Sequence, residues 1–258
     1  MSFGYRFGPW IAGILFFGGW EALTRALAIP EFILPPPSAA ILALFQFWPA
    51  IWDNAWITLL STLAGFGLAV LLGGALGMVL GGSALLYHAL NPLLVGFNAV
   101  PKVALIPVLV MWFGAGAVPA TLAAFLLAFF PITVNLAVGI AGLEPELADV
   151  LRALGASRLD VIRKVGLPRS APHFFASLKI AIALAFVGAI VSETIASNRG
   201  IGYLMISASA SFRVPLVFAA LLLVASMGVT LYALAALLER RMTGWVARAV
   251  TETMPAGS

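Results

Sequence analysis

Two long stretches of this chain carry no charged side chain. Residues 54–101 and residues 103–143 contain no Asp, Glu, Lys or Arg. A helix needs about 20 apolar residues to cross the hydrocarbon core of a bilayer, which is about 30 Å thick. Each stretch is therefore long enough for more than one crossing. The whole chain is 62% hydrophobic and 9% charged, whereas soluble domains contain about 25% charged residues. The sequence predicts an all-α integral membrane protein.

Six transmembrane helices are expected. Their approximate bounds are residues 8–28, 56–80, 86–113, 118–141, 174–196 and 214–238. No small-residue cleavage site precedes Glu21, so the first stretch is predicted to be a retained span. The organisation expected is an N-terminal span and periplasmic loop (1–53), a transmembrane domain (54–238) and a cytoplasmic tail (239–258) that is poorly ordered.

Basic residues are concentrated on one side of this arrangement. An even number of spans places both termini and the loop 142–173 on the same side. That side carries nine Arg and Lys residues and the opposite side carries three. Since cytoplasmic loops are enriched in Lys and Arg, both termini are predicted to be cytoplasmic. The net charge of +4 then reflects membrane orientation and not nucleic-acid binding.

Two local patterns predict details of the bundle. The run Pro35-Pro36-Pro37 predicts an extended segment, followed by a short surface helix over 38–48 with Ser38 as its N-cap. The second span is rich in glycine, which lets helix backbones approach closely in lipid. These glycines are Gly65, Gly67, Gly73, Gly74 and Gly77.

The largest charged segment, residues 144–172 (the hairpin), is predicted to form two short helices. Glu144-Pro145-Glu146 favours a helix start, because proline suits the first turn and carboxylates favour the positive end of the helix dipole. Gly155 is expected to end this helix. One apolar face follows from the spacing of four residues: Leu147, Val150, Leu151 and Leu154.

The second helix of the hairpin is predicted from a capping pattern. Ser157 is followed three residues later by Asp160, as in a capping box. Leu167-Pro168 is expected to end this helix, and Pro172 precedes the next span. An amphipathic hairpin that only rests on lipid headgroups is an open alternative.

The hairpin resembles the EAA loop of ABC importer permeases. In that family Glu-Ala-Ala is followed by three residues, a glycine, a spacer and a hydrophobic-x-Leu-Pro ending. Here Asp149 replaces the glutamate and Val150-Leu151 replace the small pair. Residues 155–158 and 165–168 match closely, and Pro168 lies thirteen residues after the glycine.

The resemblance extends over residues 34–238. Within the family, the chain is similar to the nitrate, sulfonate, taurine and bicarbonate permease branch. The segments that carry this similarity are 34–38, 63–66, 101–107, 112–114, Glu193-Thr194 and 200–203.

This resemblance implies a type I ABC importer fold with a cytoplasmic coupling helix, in a bacterial inner membrane. The implied partners are a separate ATP-binding subunit, a second permease copy (a homodimer), an extracytoplasmic substrate-binding protein and membrane lipid. The residues expected to contact the ATPase are Glu146, Asp149, Arg152, Gly155, Ala156, Ser157, Arg158 and Pro168.

Nucleotide and metal chemistry are not expected in this chain. It contains no Gly-x-x-x-x-Gly-Lys-Ser/Thr phosphate loop. ATP and Mg²⁺ are therefore expected on the separate subunit, and this chain is expected to be a pore subunit and not an enzyme. It has no cysteine, and nothing near His88 or His173 in the sequence completes a metal site.

Four residues are predicted to line the translocation path. Ionisable groups inside a membrane are costly, so they are functional candidates. Lys102 lies between two prolines, where a broken helix frees backbone groups to line a cavity. It is expected to attract an anionic substrate and Asn98 to add polar lining, while Glu193, beside Ser192, shapes the path or the outer gate. Alternatively, Lys102 and Glu193 form a structural ion pair or extend to an interface.

Two other charged residues are assigned peripheral roles. Glu21 in the first span is expected to lie outside the pore. Lys179 is expected to extend to the membrane surface as an anchor.

The sequence favours the permease of an importer for a small solute, such as a sulfonate, nitrate or related organic acid. An ion-coupled secondary transporter would have repeated halves with paired broken helices, and only residues 101–107 break a span clearly. An intramembrane enzyme would need a nucleophile with a base or a metal cluster, and no such set is evident.

Overall fold

The computed structural model describes residues 3–143 and 145–253, and every regular element in those ranges is helical. The α-helices are α1 (Phe3–Ala26), α2 (Pro37–Gln46), α3 (Trp48–Leu68), α4 (Gly74–Gly81), α5 (Ala84–Ala99), α6 (Ile106–Phe113), α7 (Ala117–Ala141), α8 (Pro145–Ala153), α9 (Arg158–Val161), α10 (Leu167–Ala196), α11 (Ile201–Ala210) and α12 (Val214–Thr253). Wider π-helical turns occupy Ala69–Gly73 and Ile162–Gly166, and a 3₁₀ turn occupies Lys102–Leu105.

Four stretches within the described ranges are long and apolar enough to cross a membrane. They are Trp48–Gly81, Ala117–Ala141, Leu159–Ala196 and Val214–Thr243. Ala84–Ala99 and Lys102–Phe113 meet at a bend of 76° and form a fifth if they count as one broken span. The predicted break in the third span is thus present. The count of six stays a prediction, because α1 does not meet the same criteria.

The centre of the bundle is α7, which packs against α10, α3 and α4. The contact surfaces consist largely of alanine, including Ala124, Ala128 and Ala185, each with no exposed area. Such small side chains let helix backbones approach closely in a membrane. The packing of α7 therefore depends on residues that add little volume.

The glycines of the second span divide into two groups. A Cβ on Gly65 would lie 2.6 Å from Ala124 Cβ, and one on Gly77 would lie 2.8 Å from the Thr133 carbonyl oxygen. Gly73 also faces α7 closely, whereas nothing lies within 4 Å of a Cβ on Gly67 or Gly74. Close packing is confirmed for three of the five.

The predicted helix end at Leu167-Pro168 is wrong. The helix that starts in the hairpin continues without interruption from Leu159 to Ala196, over 38 residues. Proline lacks an amide N–H and would leave one helical carbonyl without its partner. The π-helical turn Ile162–Gly166 ends two residues before Pro168 and changes the hydrogen-bond register there, so the chain passes the proline as a helix.

The predicted cap of α2 is also wrong. The residue at the N-cap is Pro36, and Ser38 lies inside the first turn. The Ser38 backbone N–H donates to Glu21 Oε2 at 3.0 Å, and its hydroxyl donates to Glu21 Oε1 at 2.8 Å. Glu21 also accepts from Arg25 Nε at 2.6 Å. The carboxylate from α1 thus supplies the acceptor that a local serine was expected to supply.

The described part of the segment after residue 239 is helical; that the tail is poorly ordered stays a prediction. Helix α12 extends to Thr253. Lys179 Nζ lies 2.7 Å from Glu239 Oε2, and the two side chains are only 20% and 23% exposed. Lys179 therefore binds α12, and its role as an anchor at the membrane surface stays a prediction.

Replacing Glu239 by leucine should loosen α12 from α10. Removing one partner of a partly buried ion pair leaves the other charge without compensation, at a cost of about 1–3 kcal/mol. We expect a lower thermal midpoint of the purified permease in detergent. The double variant Lys179→Met with Glu239→Leu should recover most of the loss. A single variant as stable as the wild type would contradict this role for the pair.

Candidate functional site

The first turn of the hairpin is built as predicted. Helix α8 ends at Ala153, and Gly155 has φ +88°. The Ala156 N–H donates to the Leu151 carbonyl at 3.0 Å, which is the long hydrogen bond of a Schellman ending. Glycine adopts a φ in this range more readily than other residues do. Gly155 therefore fixes the angle at which the two arms of the hairpin meet.

The second arm begins with a complete capping box. The Asp160 N–H donates to Ser157 Oγ at 3.1 Å, and the Ser157 N–H donates to Asp160 Oδ2 at 3.3 Å. The Ser157 hydroxyl also donates to Asp160 Oδ2 at 2.6 Å. Lys164 Nζ lies 3.3 Å from the other oxygen of Asp160. These reciprocal bonds confirm the predicted pattern.

The apolar face of the hairpin is largely uncovered. Val150 is 57% exposed, Leu154 is 79% exposed and Leu159 is 62% exposed. Leu147 and Leu151 are half-buried. Exposed apolar surface next to well-ordered polar caps is typical of a surface that binds another molecule.

The base of the hairpin contacts two other helices. A Cβ on Gly82, just after α4, would lie 2.7 Å from Ile162 Cδ1. Gly166 is buried, and a Cβ there would lie 3.6 Å from Ile140 near the end of α7. The hairpin is thus packed against the ends of α4 and α7, so a displacement of the hairpin would also displace these helix ends.

The predicted ATPase-contacting residues occupy different positions on the hairpin. Glu146, Asp149, Gly155 and Ser157 are exposed, whereas Ala156 and Pro168 are half-buried. Glu144 and the side chains of Arg152 and Arg158 lie outside the described residues. Pro168 lies within the long helix and not at the end of a short one. Contact of these residues with an ATPase stays a prediction.

The broken span brings Lys102 and Asn98 together. Lys102 Nζ donates to Asn98 Oδ1 at 3.0 Å and to the Asn98 carbonyl at 3.1 Å. The ammonium also lies 4.8 Å from the centre of the Phe130 ring, within the range of a cation–π interaction. The Phe130 ring stacks on Phe97 at 6.5 Å. Phe130 therefore supports the cation.

Glu193 lies in a different group of side chains. It is 3% exposed. Its two oxygens accept from the Thr58 hydroxyl at 2.9 and 2.8 Å, and Oε2 also accepts from the Gly202 N–H at 3.0 Å. Among the described residues these donors, and not Lys102, are its partners, so the alternative of a Lys102–Glu193 ion pair is not observed.

Two more backbone amides, those of Gly200 and Ile201, complete this group. We call it the Thr58 cluster, and it consists of Asn54, Thr58, Glu193 and the amides of residues 200–202. The Ile201 N–H donates to Thr58 Oγ1 at 2.8 Å, and the Gly200 N–H donates to Asn54 Oδ1 at 2.8 Å. Sequence reasoning missed Asn54 and Thr58. Their spacing of four residues places two polar groups on one face of an apolar helix, which was the available signal.

Ser192 is 1% exposed, and its hydroxyl has no hydrogen-bond partner within the part of the chain that the structure describes. A small cleft of about 220 Å³ lies beside Glu193 and is lined by Ile57, Ala117, Ser197, Asn198 and Arg199, among others. Of the four predicted path residues, Asn98 and Lys102 contact each other, and Glu193 belongs to the Thr58 cluster beside its sequence neighbour Ser192. Their contact with a substrate stays a prediction.

Comparison with known proteins identifies the family. Residues 69–244 match the family model described as "Binding-protein-dependent transport system inner membrane component". The chain belongs to this family. Its relatives include the riboflavin transport system permease protein RibX of Chloroflexus aurantiacus, which is 37% identical over 88% of this chain and 86% of its own length.

Another relative is the taurine transport system permease protein TauC of Escherichia coli, which is 28% identical over 88% of this chain and 84% of its own length. The resemblance to ABC importer permeases of the sulfonate, taurine and nitrate branch is thereby confirmed.

The fold is shared with a solved transporter. A chain of the MetNI methionine ABC transporter, in an inward-facing conformation, superposes with a TM-score of 0.64 and covers 77% of this chain and 98% of its own length. Its sequence identity is 18%, so the likeness concerns the fold alone. The predicted type I importer fold is confirmed, and the chain is a membrane permease component.

Proposed function

We propose that this chain is the pore-forming subunit of an ATP-driven importer for a small solute that carries an anionic group. Two copies form the pore in a bacterial inner membrane, with both termini in the cytoplasm. A separate ATP-binding subunit binds the hairpin, and an extracytoplasmic binding protein delivers the solute. Sulfonates, nitrate and related organic acids fit this class.

The observation that carries the proposal is the hairpin. Its helices are capped at both Gly155 and Ser157, so its shape does not depend on a partner. Its apolar face is nevertheless exposed at Val150 and Leu154. The sequence contains no phosphate-binding loop of its own. An apolar, uncovered surface between capped helices, on a chain without a phosphate-binding loop, supports binding of the ATPase there.

Lys102 supports an anionic solute. Its ammonium has three N–H donors, and the bonds to Asn98 and the contact with Phe130 hold it at the bend of the broken span. Since two of the three N–H groups bind Asn98, the third can donate to a carboxylate, sulfonate or nitrate oxygen. Charge-assisted hydrogen bonds of this kind are about twice as strong as neutral ones.

The homodimer is supported by the uncovered apolar surface of the broken span. Leu93, Val95, Met111 and Trp112 are all more than half exposed in the single chain. A second copy and lipid would together cover this surface, and the break with Lys102 would then face the space between the copies.

Replacement of Lys102 by glutamine should weaken uptake of the anionic solute. We expect the KM of transport to rise about tenfold, because a charged donor of about 1.5 kcal/mol is lost. Lys102→Arg should stay within about threefold of the wild type. The measurement is ATP-dependent uptake into proteoliposomes that contain the permease, the ATPase and the binding protein. Unchanged KM in Lys102→Gln, or wild-type uptake without any ATPase, would contradict the proposal.

A planar aromatic solute is a second candidate. Phe97 is 61% exposed and stacks on Phe130 beside Lys102, and an aromatic surface of this kind can stack on a heteroaromatic ring. The relative named RibX is a riboflavin transport permease. Loss of uptake in Phe97→Leu, with Lys102→Gln unaffected, would favour this candidate over an anion.

A further inference from the structure

We propose that Thr58, with Asn54 and Glu193, is a positioning residue for energy coupling. The Thr58 cluster attaches the outer loop between α10 and α11 to α3 and α10, so that this loop moves with the hairpin at the other end of the long helix. The inference rests on the proposed function, because coupling presupposes an ATPase partner.

The first step of the argument concerns the backbone amides at the start of α11. The first amides of a helix have no partner within the helix. Here three consecutive amides, those of residues 200, 201 and 202, each donate to a different side chain from another helix. These three bonds at a buried helix start leave the loop little freedom to move by itself.

The second step concerns burial. Thr58 is 1% exposed, and its hydroxyl acts in both directions, donating to Glu193 and accepting from Ile201. Loss of this hydroxyl would leave a buried carboxylate oxygen and a buried amide with fewer partners, which is costly. Gly200 adopts φ +99°, and a Cβ there would collide with the Glu193 carboxylate.

The third step concerns the connection to the hairpin. Leu159–Ala196 is one helix of 38 residues, about 57 Å long at 1.5 Å per residue. It starts within the hairpin and carries Glu193 in its last turn. The Gly116 N–H also donates to the Ala196 carbonyl at 3.2 Å, which attaches the turn before α7 to the same helix end. A displacement of the hairpin therefore reaches the outer loop through one continuous element.

The test uses the full complex of permease, ATPase and loaded binding protein in proteoliposomes. Thr58→Val keeps the shape of the side chain and removes the hydroxyl, whereas Thr58→Ser keeps the hydroxyl. We expect the solute transported per ATP hydrolysed to fall about tenfold in Thr58→Val and to return to near the wild-type ratio in Thr58→Ser. If Thr58 acted only in folding, Thr58→Val would reduce the amount of assembled complex but leave the ratio of solute transported to ATP hydrolysed unchanged.

A second measurement follows the loop directly. The chain has no cysteine, so Asn198→Cys gives one spin-label site per copy on the outer loop. In the wild type, the distance between the two labels should change between the nucleotide-free and ATP-bound complexes. With Thr58→Val the distance distribution should broaden and lose this dependence. If Thr58→Val does not assemble, Asn54→Leu provides a milder variant, because within the Thr58 cluster it removes only the acceptor of the Gly200 N–H. We expect the same loss of the nucleotide-dependent distance change, but a smaller one.

The results separate the two proposals. An unchanged transport-to-hydrolysis ratio with unchanged label distances in Thr58→Val, or in Asn54→Leu, would overturn the inference. Absence of ATP-dependent uptake in the wild-type complex would instead contradict the proposed function.

Discussion

Replacing Gly155 by valine should abolish most ATP-driven uptake while the permease still folds. The residue has φ +88°, and nothing lies within 4 Å of a Cβ at this position. The effect of valine is therefore conformational and not steric. A β-branched residue in this region costs about 1–3 kcal/mol, and the hairpin can avoid that cost by changing the angle between α8 and α9.

A changed hairpin angle would present Val150 and Leu154 to the ATPase in the wrong orientation. We expect uptake in proteoliposomes to fall at least about tenfold, with hydrolysis no longer stimulated by the loaded binding protein. Gly155→Asn is the matched control, because asparagine tolerates positive φ better than valine. Equal uptake by the valine variant and the wild type would contradict a coupling role for the hairpin.

Gly65→Leu should prevent the bundle from assembling. A Cβ at Gly65 would lie 2.6 Å from Ala124 Cβ and 2.8 Å from the Phe125 backbone nitrogen, and it would collide with the Thr121 carbonyl. Backbone atoms of a packed helix cannot move aside cheaply, so the cost should be about 3 kcal/mol or more. The expected result is little or no monodisperse permease in size-exclusion chromatography after detergent extraction.

Gly67→Leu is the control for this prediction. It lies on the same helix, two residues further along, and nothing lies within 4 Å of a Cβ there. Its apolar side chain should change stability by about 0.5 kcal/mol or less. If both leucine variants behave alike, the close packing of α3 on α7 is not what restricts position 65.

The contrast between these two glycines shows what the sequence could and could not predict. A glycine-rich apolar span predicts close helix packing, and that packing is present at Gly65, Gly73 and Gly77. Which glycine faces a neighbour depends on how α3 is rotated about its axis. The π-helical turn Ala69–Gly73 shifts that rotation part-way along the span, and no local pattern indicated the turn.

The hairpin was the most predictable part of the candidate site. Its signals are local, since a positive φ at Gly155 and a Ser157–Asp160 box each depend on residues a few positions apart. The Thr58 cluster was not predictable in the same way. Its hydrogen bonds to α3 join residues separated by 135 to 146 positions, as between Thr58 and Glu193 or Asn54 and Gly200. Tertiary packing alone brings them together.

Proline was the misleading signal. Pro168 was taken as a helix end because an interior proline breaks the hydrogen-bond ladder. A π-helical turn that ends two residues before it provides a second solution, and π turns have no reliable sequence pattern. The ion pair between Lys179 and Glu239, 60 positions apart, likewise has no local sequence signal.

The unbroken helix Leu159–Ala196 also has the geometry of a lever. It packs on α7 from Gly166, beside Ile140, to Ala196, whose carbonyl accepts from the Gly116 N–H, so the two helices would tilt together. Ala181 and Ala185 lie near the middle of this shared contact. A rod that tilts about such a contact moves its two ends in opposite directions. With arms of about 35 Å toward the hairpin and about 20 Å toward Ala196, a tilt of about 10° would shift the two ends by about 6 Å and about 3.5 Å. Inward motion of the hairpin would then accompany outward motion of the loop after Ala196, so one tilt could close one side of the membrane while it opens the other.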